Sequence, residues 1–310
     1  MQRTDFWRLT RISLAPTAIG DSIAGMLLAS HGDLPEAKLL LLIPLSLCLF
    51  HGGMVLNDWS DRGADQDTRP DRPIPSGRVS PSSALSLALG LLLGGVLLGS
   101  ALDPRTGLAT LGLTLLIVAY DLGPRGNWLG PLIMGACRAG NVALAYACSL
   151  WVMGAPTNLF MEQALPGRFL VPLAYGFYVI LISRLARAED GDARLEPTVL
   201  RGRLLCAMTL LPLPALLAGV ALHSPVGGTL GAMLALSGVP GLWQAARDPA
   251  PWTQERVTHC VGLLLRRLLL ISASIALSTS ALGSVGLWAA LVILAGYPLA
   301  NALRTVAPPS

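Results

Sequence analysis

Apolar positions along this chain come in long blocks. Runs of about twenty residues, rich in Leu, Ala and Gly, fall near 12–30, 38–57, 83–101, 106–120, 128–152, 168–186, 203–222, 226–246, 260–282 and 285–303. A run of that length, coiled as a helix, crosses roughly 30 Å of hydrocarbon. None shows the two-residue alternation of a membrane strand, so the blocks read as helices and not as a barrel. The pattern predicts an all-α polytopic membrane bundle of about nine to ten transmembrane helices. The connections are short except for about 58–82, 187–202 and 247–259, and the first two hold the dense acidic clusters. No linker or low-complexity tract divides the chain, so residues 1–310 read as a single integral-membrane domain.

Composition supports this. Charged residues make up 13% of the chain and the mean hydropathy is +0.60, too little polar surface for a soluble helical protein. The cations set the orientation. With the N-terminus inside, sixteen of the 22 fall on the cytoplasmic side, including Arg3, Arg8, Arg11, Arg62, Arg69, Arg72, Arg78, Arg125, Arg184 and Arg187. Lys38, Arg105 and Arg168 fall on the other side, while Arg138, Arg266 and Arg267 lie within segments. Both termini and the acidic loops are then cytoplasmic, in a cell inner or plasma membrane. The net charge of +4 follows from this bias and does not point to nucleic acid. The five cysteines form no CxxC pair and the four histidines have no metal-ligand spacing. Arginines before an apolar stretch imitate a signal peptide. Asp21 interrupts that stretch and no A-x-A site follows, so it reads as the first spanning helix.

Two polar groups sit deep in the fifth block: Arg138 and Asn141, spaced i, i+3 in "GACRAGN". An arginine at membrane depth costs several kcal/mol unless it faces a partner or a watery cavity. Asp21 is its candidate partner, and lining a substrate cavity is the reading preferred over a purely structural ion pair. Arg266 and Arg267, near a helix end, are read as snorkelling.

The polar centre of the chain is "NDWSDRGADQDTRPDRPIPSGR", Asn57 to Arg78, with five aspartates and four arginines directly after an apolar run. If the second helix continues past Leu56, Asp58, Asp61 and Asp65 are spaced i, i+3, i+7 on one face. Three like charges on one stripe repel, and a divalent cation relieves that. Mg²⁺ takes hard oxygens, often one or two carboxylates together with substrate phosphates. The arginines that follow on a proline-stiffened loop suit phosphate oxygens. Carboxylates, cation and arginines together describe a diphosphate site. The alternative is a solvated loop with internal Asp–Arg pairs.

These residues resemble a known family. "NDWSDRGAD" followed by "RPIPSGR" is similar to the first aspartate-rich motif of the UbiA superfamily of intramembrane prenyltransferases. "LTRISLAPTAIGDSIAGMLL" resembles its first helix, and "YDLGPRGNWLGPLIMGACRAGN" the segment joining its fourth and fifth. The stretches "GGMVLNDWSDR", "GPLIMGACRAGN" and "SRLARAEDGD" look most like the EboC-like branch. The resemblance covers roughly residues 8–205. It implies a polyprenyl diphosphate bound through Mg²⁺ by Asn57, Asp58, Asp61 and Asp65, with Arg72 on phosphate. Tyr120 matches the tyrosine ending the fourth helix. Arg125 stands where members often carry a lysine. Members also carry D-x-x-x-D after the sixth helix, and here "YVILISRLARAEDGDAR" offers no such pair. Glu189 and Asp192, at i, i+3, share a second cation, or Arg184 and Arg187 serve phosphate in its place.

The implied activity is Mg²⁺-dependent transfer of a prenyl group to a small-molecule or lipid acceptor that the sequence does not name. Asp58 and Asp61 are then the catalytic pair, with Arg72, Tyr120, Arg125, Arg138, Asn141, Arg184 and Arg187 binding substrate. Cyclisation or hydrolysis of the same diphosphate, and non-catalytic carriage of a polyprenyl compound, are the rival readings.

Overall fold

The computed structural model describes residues 3–123, 126, 128–154, 168–188, 197–280 and 285–306. Among them there is no strand. A short helix, α1 (Arg3–Leu9), leads through a 3₁₀ turn (Ile12–Leu14) into α2 (Ala15–Ala29). A second 3₁₀ turn (Ala37–Leu41) opens α3 (Leu42–Ser60), and α4 (Arg62–Thr68) continues nearly in line with it. Then come α5 (Pro81–Leu102), α6 (Pro104–Leu122), α7 (Leu129–Val152), α8 (Leu170–Ala186), α9 (Pro197–Leu210), α10 (Leu213–Ala221), α11 (Pro225–Leu236), α12 (Val239–Arg247), α13 (Gln254–Ser278) and α14 (Val285–Val306).

Proline and small polar residues set several of these limits. Ser80 caps α5, accepting from the Ser83 amide at 3.2 Å, with Pro81 at the first helical position. Asp103 both ends α5 and caps α6, accepting from the Arg105 amide at 2.8 Å just ahead of Pro104. A single residue therefore reverses the chain.

The structure corrects several expected boundaries. The blocks at 203–222 and 226–246 are each broken in two, the first at the Pro212–Pro214 stretch and the second around Gly238 and Pro240. Proline removes a backbone donor and clashes with the preceding turn, which breaks an otherwise apolar run. The loop expected over 187–202 is shorter, because Pro197 starts α9, so Arg201 and Arg203 are helical. The loop expected over 247–259 ends at Thr253, whose hydroxyl caps α13 by accepting from the Arg256 amide at 3.3 Å.

Eight helices or helix pairs among the described residues are long and apolar enough to cross a membrane. α8 is apolar but shorter, at 17 residues. α7 spans 24 residues and carries Arg138 and Asn141 at its middle. Leucines on α5 and α6, Phe177 on α8 and Trp288 on α14 remain exposed. Such apolar outer faces belong in lipid.

Helices α2 and α13 lie at the centre. α2 packs on α3, α7, α13 and α14, and α13 packs on α2, α8, α10, α11, α12 and α14. One apolar cluster joins Tyr146, Tyr175 and Tyr178 to α13, and a second fills the space between α3, α5 and α6. Small residues let the central helices approach closely. A methyl group on Gly25 would lie 2.6 Å from the Val142 carbonyl and 2.7 Å from Cβ of Ala145. Backbone cannot yield to that. Gly25→Ala is expected to destabilise the protein by about 1–3 kcal/mol, read as a lower melting temperature in detergent. A melting temperature equal to the parent's would show that α2 and α7 slide apart at little cost.

Candidate active site

The expected continuation of the second helix holds. The Asp61 amide donates to the Asn57 carbonyl and the Asp65 amide to that of Asp61, both at 2.9 Å, so the i, i+3, i+7 register survives the α3–α4 junction. What surrounds the carboxylates differs from a bare cation triad. Asp58 is 2% exposed. Its Oδ1 accepts from Nη2 of Arg11 at 2.8 Å and lies 3.5 Å from Nη1 of Arg72. That same Arg72 nitrogen donates to Oδ2 of Asp65 at 2.6 Å. Two of the three carboxylates are thus bridged by one buried arginine, and Asp61 stays half-buried beside them. Among the described residues no three His, Cys, Asp or Glu side chains converge as a ready-made metal cage.

The donor set nevertheless suits Mg²⁺. All the groups are hard oxygens at the end of a membrane helix, and Mg²⁺ is commonly held by few carboxylates plus substrate phosphates. Oδ2 of Asp58 is buried with no hydrogen-bond partner. Such an oxygen is costly to leave unmet, and a cation meets it.

Arg11 entered the sequence reading only as a marker of orientation, yet it is part of the site. It sits between α1 and the first 3₁₀ turn with φ 50°, a left-handed conformation that costs a non-glycine residue about 1–3 kcal/mol. Thr10 beside it is fixed from α3, because its carbonyl lies 2.7 Å from Nδ1 of His51. A carbonyl only accepts, so that ring nitrogen carries the proton. The strained turn aims the Arg11 guanidinium at Asp58. A further pair, Nε of Arg78 to Asp5 at 2.9 Å, ties the proline-rich loop to α1.

Asp121 is the other residue sequence reasoning missed. It follows Tyr120 at the end of α6, is 3% exposed, and accepts from Nδ2 of Asn57 at 3.2 Å. Its backbone carbonyl accepts from the Ser60 hydroxyl at 2.7 Å. The available signal was an aspartate directly after the tyrosine that closes an apolar run.

Below this polar mouth lies a cavity of about 170 Å³ between α3, α6 and α7. Arg11, Asn57, Tyr120 and Asp121 border one end, and Ser46, Arg138 and Asn141 reach it at the other. Arg138 takes Asp21 as its partner, donating from Nη1 at 3.1 Å and from Nη2 to Thr17 Oγ1 at 3.2 Å. Asp21 is fully buried. Its other oxygen accepts from Tyr175 at 2.7 Å and Ser272 at 2.9 Å. Asn141 accepts from the Ser46 hydroxyl at 2.9 Å. The two alternatives for Arg138 therefore coincide: it is ion-paired and it lines the cavity.

Arg184 lies apart from the cavity lining, its guanidinium 4.2 Å over the Trp128 ring. Arg187 ends α8 and is likewise not among the lining residues. Arg125, Glu189 and Asp192 lie outside the described residues. Nε of Arg266 donates to the Gly262 carbonyl at 3.1 Å and Nε of Arg267 to the Gly238 carbonyl at 3.2 Å, so both guanidiniums are engaged on backbone carbonyls, and the Tyr297 hydroxyl ties α14 to α13 at the Arg266 carbonyl.

A model of the UbiA prenyltransferase family matches residues 13–261. The chain belongs to that family. It is therefore an integral membrane protein with the all-helical UbiA architecture. The bacteriochlorophyll synthase 33 kDa chain of Rhodobacter capsulatus is 33% identical over 147 residues, covering 45% of this chain and 46% of that one. The digeranylgeranylglyceryl phosphate synthase of Methanopyrus kandleri is 32% identical over 192 residues, covering 59% and 63%. The chain thus spans between about half and just under two thirds of the length of these UbiA relatives. A UbiA homolog from Archaeoglobus fulgidus bound to GPP and Mg²⁺ shares the fold with a TM-score of 0.57 at 15% identity, covering 88% of this chain and 99% of that one.

Proposed function

We propose that this protein transfers a prenyl group from an allylic prenyl diphosphate to a small-molecule or lipid acceptor, with Mg²⁺ as cofactor. The observation that carries the reading is a pair of arginines, half-buried Arg11 and buried Arg72, held by Asp58 and Asp65 where an apolar cavity opens. Family membership and the GPP- and Mg²⁺-bound homolog support it. So do the synthase relatives. The site lies on the cytoplasmic face, where the arginine bias also puts both termini. Within the family we place the chain in the EboC-like branch, on the three stretches that resemble it.

Arg11 and Arg72 bind the diphosphate oxygens. Their guanidiniums are fixed before substrate arrives, so little reorganisation is needed when negative charge builds on the leaving group. Asn57, Asp61, Asp65 and the second oxygen of Asp58 would hold Mg²⁺, which when bound would supply further neutralisation of that charge. The C–O bond breaks heterolytically, the electron pair leaves with the diphosphate, and an allylic cation remains. Leu49, Phe50, Met54, Leu113, Ile117 and Met134 wall the cavity and keep water from that cation. The acceptor then bonds to the carbon that bore the diphosphate, and its proton passes to the released diphosphate or to solvent.

Labelled allylic diphosphates incubated with the purified protein in Mg²⁺ test this. Diphosphate release is expected with Mg²⁺ and is expected to fall at least 100-fold with a chelator, recovering on readdition. Label appearing only in free alcohol or hydrocarbon, with acceptors present, would favour hydrolysis or cyclisation. Binding without any release would make the protein a carrier.

A further inference from the structure

The cavity under the arginine mouth changes character with depth. Its upper wall is apolar, but its lower end carries Arg138, Asn141 and Ser46. Depth follows from positions along α3. Asn57 borders the mouth, Phe50 lies seven residues below, and Ser46 eleven residues below. At about 1.5 Å per helical residue these are roughly 10 Å and 16 Å down. The Arg138 guanidinium sits 4.9 Å over the Phe50 ring, which places it at the shallower of the two levels.

A polar floor at this depth is unsuited to a long hydrocarbon tail. With C–C bonds near 1.5 Å, one extended isoprene unit spans roughly 4–5 Å. Two units fill the distance to Arg138, and three reach Ser46 and Asn141. A fourth unit would press an apolar end against the hydrogen-bonded Ser46 and Asn141 side chains beneath the guanidinium–carboxylate pair, stripping polar groups of solvation and offering nothing in return. The floor does not yield. Arg138 is a planar fork with two ends fixed, on Asp21 and on Thr17. Asp21 is held in turn by Tyr175 on α8 and Ser272 on α13.

We propose that Arg138, pinned to Asp21, forms with Asn141 and Ser46 beneath it the floor of the prenyl-chain pocket and restricts the donor to short allylic diphosphates of two to three isoprene units. This rests on the prenyl-diphosphate reading of the same site and adds the donor's size class to it. Arg138 is then a specificity-determining residue that touches the end of the chain farthest from the diphosphate.

Competition binding on the full-length protein with Mg²⁺ tests the proposal without an acceptor. Unlabelled allylic diphosphates of one, two, three and four isoprene units compete against labelled GPP. The two- or three-unit compound is expected to compete best, with the four-unit compound at least tenfold weaker. If the four-unit compound competes as well as or better than the shorter ones, as a tail leaving sideways into lipid would produce, the floor assignment is overturned while the diphosphate reading stands. If none binds, the reading itself falls and the floor with it.

The neutral pair Asp21→Asn with Arg138→Met locates the determinant. It is expected to raise the affinity ratio of four-unit to two-unit diphosphate at least tenfold, and an unchanged ratio in the folded double variant removes Arg138 from the role. Should that variant not fold, the parent's chain-length profile decides alone.

Discussion

Asp58→Ala is expected to lower diphosphate release at least 100-fold and to destabilise the protein as well. Asp58 is the shared anion of Arg11 and Arg72, all three substantially buried. Removing one member of a buried ion pair leaves the others uncompensated, at a cost of about 3–5 kcal/mol. The strained turn at Arg11 loses the contact that offsets its left-handed φ. Arg11 would lose its carboxylate anchor, while Arg72 would keep its 2.6 Å bond to Asp65. Asp61→Ala separates the two roles. Asp61 is half-buried where Asp58 is 2% exposed, so its loss is expected to abolish release with a smaller change in melting temperature. Paired activity and melting measurements check both variants. Asp58→Ala within threefold of the parent's release would sink the mechanism.

Asp21→Ala is the second large effect. It strands Arg138 inside the bundle and removes the acceptor for Tyr175 and Ser272. A loss of about 3–5 kcal/mol is expected, enough to consume much of the stability of an ordinary domain. Asp21→Asn keeps a carbonyl for the two hydroxyls and is expected to cost less. Melting curves of the two variants in the same detergent give the comparison. Equal curves would mean that Tyr175 and Ser272 contribute nothing to holding the helices.

Much of this was legible before the structure. Blocks of apolar residues located the helices because lipid demands internally satisfied backbone over a fixed length. The i, i+3, i+7 aspartates and the Arg138–Asp21 pairing followed from helical spacing and from the cost of an unpaired charge in hydrocarbon. The breaks at Pro212–Pro214 and Gly238 were written in the sequence as well, but hydropathy averages over them. Arg11 was hidden for a different reason. A cation at a cytoplasmic helix end is what the orientation bias produces anyway, and only the backbone conformation shows it turned inward to Asp58. Asp121 was masked by its neighbour Tyr120, and its link to Asn57 joins residues 64 positions apart. No local pattern carries such a contact. On α8, the resting of the Arg184 guanidinium on Trp128 is likewise a contact that charge and side alone do not foretell.

The node at Asp21 also bears on how the chain assembles. Its hydroxyl partner Ser272 is 251 residues downstream, and Arg138 is 117 away. A protein inserted from its N-terminus places α2 in the bilayer long before either partner has been made. Until α7, α8 and α13 dock, the first spanning helix carries an acid that nothing in the lipid can satisfy. The last third of the chain therefore acts as the latch on the first helix, and a product cut short before α13 is expected to insert yet be cleared by membrane proteases.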